Sequence, residues 1–393
     1  MLRRGEIFFA SVAELNDASE CRPRLVLNGS QELWQRLAGF ILQMVCVRSD
    51  FCDQTPDDEI RRLFTLCGPL GTLLKQHARN RDCGLEELDQ LFRTQLTQVL
   101  NTHSASAHLQ FLVPACKAFI TSELPSLIDE QSYIASFSRN AKNPTMWGHY
   151  ADAERGFVIV YTTSDARLSV QSPINILYGT RPLRDDDIAH YEIGIYPEDQ
   201  LQLKKVTYSR KPPKVNAFHA LIPQFLYSEE EDHYDVPLLL GGDAPEKNSD
   251  QLGLVKFSDW RYEQEIRAFL PTFGRVTLPP DARVLQVSRT NIRGLIFGPR
   301  MSAQHKARAV LCCHLMRESS VECAEEPKAE FAFFQAKELV DRFDFKISAV
   351  GLLDGRYHGK QLPFKPLDQT GDATRKSLER LAAHIDSGLQ DFP

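Results

Sequence analysis

The sequence predicts an α+β fold: a mostly antiparallel twisted sheet with flanking helices and a helical insertion near the N-terminus. Residues 30–127 repeat apolar side chains at three- and four-residue spacing, which is typical of amphipathic helices. From residue 128 the chain changes to short apolar and β-branched runs separated by turn residues, which is typical of strands. A chain of 393 residues is long enough to bury a sizeable core.

These textures divide the chain into four predicted segments. Residues 1–29 begin the core domain, residues 30–127 form the helical insertion, and residues 128–345 complete the α+β core. Residues 346–393 form a C-terminal tail rich in Gly, Lys and Pro, in which TRKSLERLAAHIDSGL can form a helix.

The insertion holds three helical stretches. SQELWQRLAGFILQMV begins at Ser30, a candidate N-cap. TPDDEIRRLFTLCGPLGTLLKQHARN predicts two helices interrupted at Gly-Pro, and GLEELDQLFRTQLTQVLNTH predicts one more with a continuous apolar stripe. The shared periodicity indicates helices that pack on one another as a bundle.

Short strands dominate the remainder. The predicted strands are GEIFFAS (5–11), SYIASFS (132–138), FVIVYTT (157–163), INILYGT (174–180), KKVTYSR (204–210), EIRAFLPT (265–272), ARVLQVS (282–288) and RGLIFGP (293–299). FVIVYTT is almost wholly apolar, which predicts a central strand buried on both faces. AQHKARAVLCCHLMRE (303–318) predicts a helix, and EFAFFQAKELVDRFDFKISAV (330–350) predicts a mixture of strand and helix.

Composition excludes several classes of protein. The 46 basic and 52 acidic residues give a net charge of −6, which argues against nucleic-acid binding through a general positive field. The nine cysteines include no C-x-x-C pair and indicate reduced thiols in a cytoplasmic protein. No stretch approaches the roughly 20 apolar residues that span a bilayer, and the N-terminal apolar run is too short for a signal peptide.

The first candidate site is SFSRNAKNPTMWGHYADAERGFVIVY, residues 136–161. Asn143-Pro144 predicts a helix start, the helix would run from 144 to 154, and Gly156 would end it in a left-handed conformation. Trp147 and Tyr150 share one face of this helix, which is either packed in the core or lines a pocket. His149 lies beside that face, and Asp152 is placed to fix its tautomer.

The second candidate site is KFSDWRYEQEIRAFL, residues 256–270. A strand from Tyr262 to Phe269 would project Glu263, Glu265 and Arg267 from one face. That face is either solvated or lines a polar cleft. In a cleft, Arg267 would keep one carboxylate ionised while repulsion raises the pKa of the other, an arrangement suited to acid/base or cation-stabilising chemistry.

A third segment, Asn16-Asp17-Ala18-Ser19-Glu20, follows the first strand. It most simply forms a turn, and its position at a strand end also lets it face a site. The sequence lacks the P-loop, G-x-G-x-x-G, H-E-x-x-H and G-x-S-x-G motifs.

In order, these segments resemble one bacterial family. The chain contains EIFFAS…LNDASE, SFS…MWGHYADAERGF, KVTY, KFSDWRYEQEIR and GLIFG, a combination similar to the domain of unknown function 2971 family. The resemblance runs from about residue 5 to 345, with residues 30–127 as a long insertion. The chain departs from the family where Asn-Asp-Pro-Phe-Glu appears as Asn16-Asp17-Ala18-Ser19-Glu20, and it begins almost at the element after the family's usual first strand.

The first functional hypothesis is an ADP-ribosyltransferase-like or NAD-cleaving enzyme, since Glu263-x-Glu265 is similar to the Glu-x-Glu of those folds. Glu265 would stabilise the positive charge that develops on the ribose of NAD, Glu263 would orient the acceptor, and His149 would bind a ribose or phosphate. Tyr150 or Trp147 would stack on the nicotinamide. The further candidates for cofactor binding are Arg267, Ser136, Ser138, Asn16 and Asp17.

Two alternatives stay open. The chain could be a non-catalytic sensor or protein-interaction module of a bacterial stress response or phage defence system, with the helical insertion and the acidic loop 228–252 as partner surfaces. It could also be a metal-dependent nuclease or nucleotide-processing enzyme in which Asp259, Glu263 and Glu265 ligate Mg²⁺, although these ligands are too few by themselves. The sequence assigns no metal site.

Overall fold

The computed structural model describes residues 2–17, 20–48, 57–78, 82–103, 109–125, 132–163, 165–171, 176–182, 188–194, 200–226, 253–270, 278–318, 330–354 and 362–387. The chain divides into two compact units. The sheet unit comprises Met1–Glu20, Gln131–Arg210 and Lys256–Pro393, and the helical unit comprises Cys21–Glu130 and Lys211–Val255. The predicted insertion therefore starts earlier than residue 30 and shares its unit with a second stretch of chain.

The α+β class predicted from the sequence is confirmed. The strands that the structure describes are β1 (Glu6–Phe8), β2 (Ala10–Ser11), β3 (Arg24–Leu27), β4 (Cys83–Gly84), β5 (Tyr133–Ser138), β6 (Phe157–Tyr161), β7 (Arg167–Gln171), β8 (Ile176–Pro182), β9 (Ile188–Gly194), β10 (Gln200–Gln202), β11 (Lys204–Lys205), β12 (Thr207–Ser209), β13 (Lys214–Asn216), β14 (Val255–Phe257), β15 (Glu265–Phe269), β16 (Val284–Val287), β17 (Ile292–Phe297), β18 (Ala332–Glu338), β19 (Phe345–Leu353) and β20 (Phe364–Pro366). The α-helices are α1 (Gln31–Arg48), α2 (Asp57–Thr65), α3 (Cys67–Ala78), α4 (Leu85–Thr102), α5 (Leu112–Ala118), α6 (Pro144–Tyr150), α7 (Phe218–Leu226), α8 (Ala303–Glu318) and α9 (Asp372–Ser387).

Two four-stranded antiparallel sheets share one core in the sheet unit. Their strand orders are β1-β16-β7-β10 and β11-β15-β5-β2. Ile7 and Val287 of the first sheet pack in the same buried cluster as Tyr133 and Ile266 of the second. The ladder between β15 and β5 positions the candidate site, because it places Glu265 opposite Ser138 and Arg267 opposite Ser136.

The first predicted strand, GEIFFAS, is divided between these two sheets. Strand β1 pairs with β16, whereas β2 pairs with β5. Phe9 lies at the change of sheet, where its ring is fully buried and its backbone N–H donates to the carbonyl of Arg283 at 2.8 Å. The extended conformation was predictable from the apolar run, but the change of partner was not.

A five-stranded sheet of order β20-β19-β18-β17-β6 forms the other part of the sheet unit. The prediction that FVIVYTT is a central strand is wrong, since β6 lies at the end of this order and its residues are partly exposed. Its apolar character has another cause: Val158 and Val160 pack against a cluster on one face, and Phe157 and Ile159 against a cluster on the other. An end strand covered on both faces has the same pattern as a central one.

The chain after residue 330 corrects two further predictions. EFAFFQAKELVDRFDFKISAV contains no helix in its described residues; it forms the antiparallel pair β18 and β19. The predicted start of the tail at residue 346 falls inside β19, so the strand continues across that boundary. The predicted C-terminal helix is present as α9, and it buries Leu378 and Ala382 against the five-stranded sheet.

The helical unit is a bundle, as its periodicity predicted. The Ser30 hydroxyl accepts a hydrogen bond from the backbone N–H of Leu33 at 3.3 Å, which confirms the cap. The helix break falls at Leu66, just before Gly68-Pro69, because Pro69 is tolerated in the first turn of α3. Leu88, Phe92, Leu96 and Leu100 of α4 are fully buried in the bundle core. Strands β3, β4 and β13 complete the unit as a small sheet.

Two findings concern membrane-spanning helices and the reactivity of the cysteines. None of the helices in the described part of the chain is both long and apolar enough to cross a membrane. Cys83 and Cys116 of the helical unit are buried thiols, and burial raises the pKa of each to about 12. Such thiols are poor nucleophiles near neutral pH, since the thiolate is the reactive form.

Candidate functional site

The site helix α6 begins as predicted and ends early. The Asn143 side chain accepts from the backbone N–H of Thr145 at 2.9 Å, and Pro144 occupies the first turn. The helix ends at Tyr150 rather than at residue 154, because Asp152, Ala153 and Glu154 all adopt positive φ angles.

Gly156 is not the predicted left-handed stop, since among the described glycines only Gly5 has a positive φ. Its role is close packing: a Cβ atom there would lie 3.0 Å from the carbonyl oxygen of Ala151. The backbone N–H of Gly156 donates to that same oxygen at 2.8 Å, which closes the left-handed turn.

Trp147 belongs to the core. Its side chain is 2% exposed, its indole N–H donates to the carbonyl of Ala141 at 2.7 Å, and its ring packs edge-on against Phe345 at 6.0 Å between centroids. A ring buried in this way has no face for a ligand. The prediction that Trp147 stacks on a nicotinamide is therefore wrong, and the core interpretation of this residue applies.

His149 and Tyr150 lie on the exposed part of the same helix. Tyr150 is 48% exposed, and the two ring centroids are 6.2 Å apart. The predicted pairing of His149 with Asp152 is not made as expected, because the Asp152 carboxylate accepts from Arg155 at 3.0 Å and lies beyond the end of the helix.

The acidic segment does not form one strand. Ser258–Glu263 is a 3₁₀ helix, Gln264 has a left-handed φ of 45°, and the strand β15 starts only at Glu265. A left-handed residue other than glycine is uncommon and marks a position that the surrounding structure enforces. Here it turns the chain so that Glu263 and Glu265 reach the same partner from different elements.

That partner is Lys256. Its ammonium group donates to Glu263 Oε2 at 2.5 Å and to Glu265 Oε2 at 2.9 Å, and it lies 3.5 Å from Glu20 Oε1. All four side chains are buried. The ammonium, which has three N–H donors, therefore has two hydrogen-bond acceptors and a third carboxylate at ion-pair distance.

Arg267 completes the group on the other side of Glu265. It is fully buried, its Nε donates to Glu265 Oε1 at 2.7 Å and its Nη2 to Glu265 Oε2 at 3.1 Å, and Nη2 also donates to Glu20. We call Glu20, Lys256, Glu263, Glu265 and Arg267 the ion cluster. Its burial excludes the interpretation of Glu263, Glu265 and Arg267 as a solvated face.

Within the ion cluster the charged forms of Glu265 and Lys256 are favoured. Burial acts to raise the pKa of Glu265, but the hydrogen bonds and positive charge of Arg267, together with Lys256, outweigh it and hold that pKa below its usual range. Burial acts to lower the pKa of Lys256, but Glu265 and Glu263 outweigh it and raise that pKa. Lys256 is therefore a fixed cation rather than a base or an amine nucleophile.

Tyr150 connects this buried cluster to the surface. Its hydroxyl donates to Glu263 Oε1 at 2.7 Å. Burial and the bond to Glu263 raise the pKa of Tyr150 to about 12, against a smaller opposing effect of a hydrogen bond with Asn16. Tyr150 is therefore a neutral phenol at physiological pH. Its hydroxyl contacts the buried Glu263 carboxylate, and about half of the residue is exposed.

Aromatic rings surround this connection. Trp260 lies 6.4 Å from His149 and 5.9 Å from Tyr262 between centroids, and the Lys256 ammonium lies 5.1 Å from the centre of the Trp260 ring. We call His149, Tyr150, Trp260 and Tyr262 the aromatic rim. The rim and the ion cluster lie within the sheet unit, so the helix α6 and the acidic segment do meet, as the sequence hypothesis required.

The predicted serines border the same cluster. Ser136 and Ser138 are both exposed; Ser136 hydrogen-bonds Glu265, and Ser138 donates to the backbone carbonyl of Glu263 at 2.7 Å. The carbonyl of Asp17 accepts from the backbone N–H of Glu20 at 3.0 Å, which is the predicted turn. The site thus gathers Asn16, Ser136 and Ser138 around the charges, and the backbone of Asp17 forms the turn that leads to Glu20.

Residues 146–268 match the family model described as a protein of unknown function, DUF2971. The chain carries a DUF2971 domain. The match begins in α6 and ends in β15, so it covers His149, Tyr150 and the segment from Lys256 to Arg267 but not Glu20, Ser136 or Ser138. No curated protein and no solved structure matches the chain.

Four residues of this site were not predicted from the sequence: Glu20, Lys256, Trp260 and Tyr208. Glu20 lies outside the matched range, and only its place after the first strand hinted that it could face the site. Lys256 and Trp260 stand in the same KFSDWRYEQE segment as the glutamates, yet nothing in the sequence shows that a lysine seven residues before Glu263 folds back on it. Tyr208, whose hydroxyl accepts from the backbone N–H of Glu265 at 2.8 Å, was missed for the same reason.

The magnesium alternative does not fit the DUF2971 site. Both oxygens of Glu265 accept from Arg267 or Lys256, and those cations occupy the positions that a metal ion would need. Asp259 is exposed and accepts from Ser258. Across the described residues, no group of three or more His, Cys, Asp or Glu side chains is arranged to hold a metal ion.

Proposed function

We propose that the DUF2971 domain is an NAD-cleaving or ADP-ribosyl-transferring enzyme whose site is the aromatic rim above the ion cluster. The observation that carries the proposal is the hydrogen bond from Tyr150 to Glu263 Oε1 at 2.7 Å. It places the buried carboxylate of Glu263 directly behind a half-exposed phenol, surrounded by aromatic rings. A negative charge held in place before the reaction is what stabilises a developing positive charge most effectively.

We assign the roles differently from the sequence hypothesis. Glu265 is saturated by Arg267 and Lys256, which makes it a positioning group. Glu263 has one oxygen on Lys256 and the other on Tyr150, so only its second oxygen faces the rim. Glu263 is therefore assigned the charge-stabilising role, Tyr150 contacts a ribose hydroxyl, and Trp260 takes over the stacking role from Trp147.

The chemistry balances without further groups. The bond between the ribose C1′ and the nicotinamide nitrogen breaks, and its electron pair leaves with nicotinamide. The positive charge left on the ribose is stabilised by Glu263, and an oxygen of water or of an acceptor then bonds to C1′ and releases its proton to solvent. Neither Lys256 nor Tyr150 acts as a base, because both keep their protons near neutral pH.

Nicotinamide release from NAD, measured by liquid chromatography with and without a panel of protein and nucleic-acid acceptors, tests this proposal. Glu263→Gln should reduce turnover by about 10²-fold or more, as expected for one electrostatic group in a preorganised site. Glu379→Gln is the matched control, since Glu379 is an exposed glutamate on α9 and should leave turnover unchanged. Melting temperatures of both variants separate lost chemistry from lost folding. No nicotinamide release by the wild-type protein under any of these conditions would overturn the proposal.

A second candidate is a non-catalytic binding module. The observation that favours it is the internal pairing of the cluster: Lys256 and Arg267 both direct hydrogen bonds at cluster carboxylates, as in a structural network. This candidate expects NAD or ADP-ribose to raise the melting temperature without being consumed, since a ligand that binds only the folded protein stabilises it.

A further inference from the structure

We infer that the aromatic rim selects a positively charged group, such as a pyridinium ring or an alkylated ammonium, and discriminates against anions. The inference deepens the proposed function, since it rests on the rim being the ligand-binding surface. It identifies the part of NAD that the rim recognises, which is the cationic nicotinamide ring rather than the phosphates.

The ion cluster below the rim has more carboxylates than cations. The ion cluster contains three carboxylates, those of Glu20, Glu263 and Glu265, against the two cations Lys256 and Arg267. One negative charge is therefore in excess at a buried position. A buried charge is screened less than a surface charge, so it acts on a ligand at the rim.

The hydrogen-bond donors of Lys256 and Arg267 point at the carboxylates of the cluster. The ammonium of Lys256 donates to Glu263 and Glu265 and forms an ion pair with Glu20, and Arg267 donates to Glu265 and Glu20. A phosphate would have to take donors away from these carboxylates and leave them buried without a partner, which costs several kcal/mol in general. The cations of this site therefore do not recruit an anion.

The rim presents aromatic ring faces to a ligand. His149, Tyr150, Trp260 and Tyr262 present aromatic rings within 6.4 Å of a neighbour, and Tyr150 and His149 are exposed. The faces of Trp and Tyr rings attract cations, Trp most strongly. The Lys256 ammonium lies 5.1 Å from the centre of the Trp260 ring, so a ligand cation would use the face of that ring away from Lys256.

A matched pair of probes tests the inference: 1-methylnicotinamide, whose methylated ring nitrogen carries a positive charge, and nicotinamide, which is nearly the same shape and neutral. Titration calorimetry or ligand-observed NMR gives the ratio of their dissociation constants. We expect the cation to bind about 3- to 30-fold more tightly, the range that one cation–π contact provides. Pyrophosphate serves as the anionic probe and should not compete.

Three variants locate the effect. Trp260→Leu and Glu263→Gln should each reduce the ratio toward one, since they remove the ring face and the excess charge. Phe343→Leu removes a fully exposed ring outside the site and should leave the ratio unchanged. Melting temperatures measured alongside show whether each variant is folded; for a variant that is not, Trp260→Met takes the place of Trp260→Leu, and Glu20→Gln, which also removes one of the three cluster carboxylates, takes the place of Glu263→Gln.

Each result decides the matter. A ratio below about three in the wild-type protein, a ratio above three that does not fall in Trp260→Leu, competition by pyrophosphate, or no measurable binding of either ring would overturn the inference. A selective cation site combined with no nicotinamide release from NAD would instead retain the inference and overturn only the enzymatic proposal. A ratio above three that falls in Trp260→Leu supports it.

Discussion

Replacing Arg267 by Met should be among the most destabilising single changes at the site. Arg267 is fully buried and hydrogen-bonds two buried carboxylates, those of Glu265 and Glu20. Methionine fills much of the same space but leaves three carboxylates with Lys256 as their remaining partner in the cluster. Removing one partner of a buried ion pair costs about 3–5 kcal/mol in the free energy of unfolding.

The cost should depend on pH. In the wild-type protein the pKa of Glu265 is lowered, so Glu265 contributes stability above its unfolded pKa, and that contribution is lost as the pH falls through the folded value. In the variant the effect of Arg267 is gone and burial dominates, which raises the folded pKa of Glu265. The charged form is then penalised at neutral pH and the neutral form is not. The difference between the two proteins should therefore be largest near pH 7 and shrink toward about pH 4.

Urea unfolding at pH 7.5 and pH 4.5 measures this difference, and hydrogen exchange of β15 assigns it to the sheet unit. Arg375→Met is the matched control, because Arg375 and Glu379 form an exposed pair whose loss should cost below about 0.5 kcal/mol. A loss below about 1 kcal/mol for Arg267→Met, or a loss that does not change with pH, would refute the argument that the cluster is held by charge pairing.

Three further predictions concern the elements around the site. Gly298→Ala should be strongly destabilising, because a Cβ atom there would lie 2.2 Å from the carbonyl oxygen of Glu154. In Gly148→Ala the added Cβ atom in α6 meets nothing within 4 Å, so this change should stabilise the protein by about 0.5–1 kcal/mol. Thermal melting of the two variants shows whether the melting temperature falls in the first and rises in the second. Trp147→Ala should cost about 3–5 kcal/mol by leaving a cavity in the core, and an unchanged melting temperature would contradict the assignment of Trp147 to the core. Cys116 should react with a thiol reagent at pH 8 far more slowly than the partly exposed Cys312, because the pKa of the buried thiol is about 12; mass spectrometry of the labelled protein at early times compares them, and equal rates would contradict this.

Some parts of the fold were predictable because the local pattern has a single physical solution. The apolar stripe of α4, the Ser30 cap of α1 and the Asn143-Pro144 start of α6 each depend only on residues a few positions apart. The bounds of α8 agree with the predicted helix for the same reason. Failures occurred where neighbours in space decide, as for β6, whose apolar residues are covered by two clusters although the strand lies at the end of its sheet.

The α+β class, the helices α1 to α4, α6, α8 and α9, and the importance of segments 136–161 and 256–270 could be predicted from the sequence alone. The helices α5 and α7, the burial of Trp147, the bond from Tyr150 to a carboxylate, and the joining of Lys256 and Glu20 to Glu263, Glu265 and Arg267 depend on contacts made in the folded chain. Periodicity and capping act through neighbours along the chain and can be read directly. A buried charge is tolerated only beside its partners, and those partners come from positions up to 247 residues away.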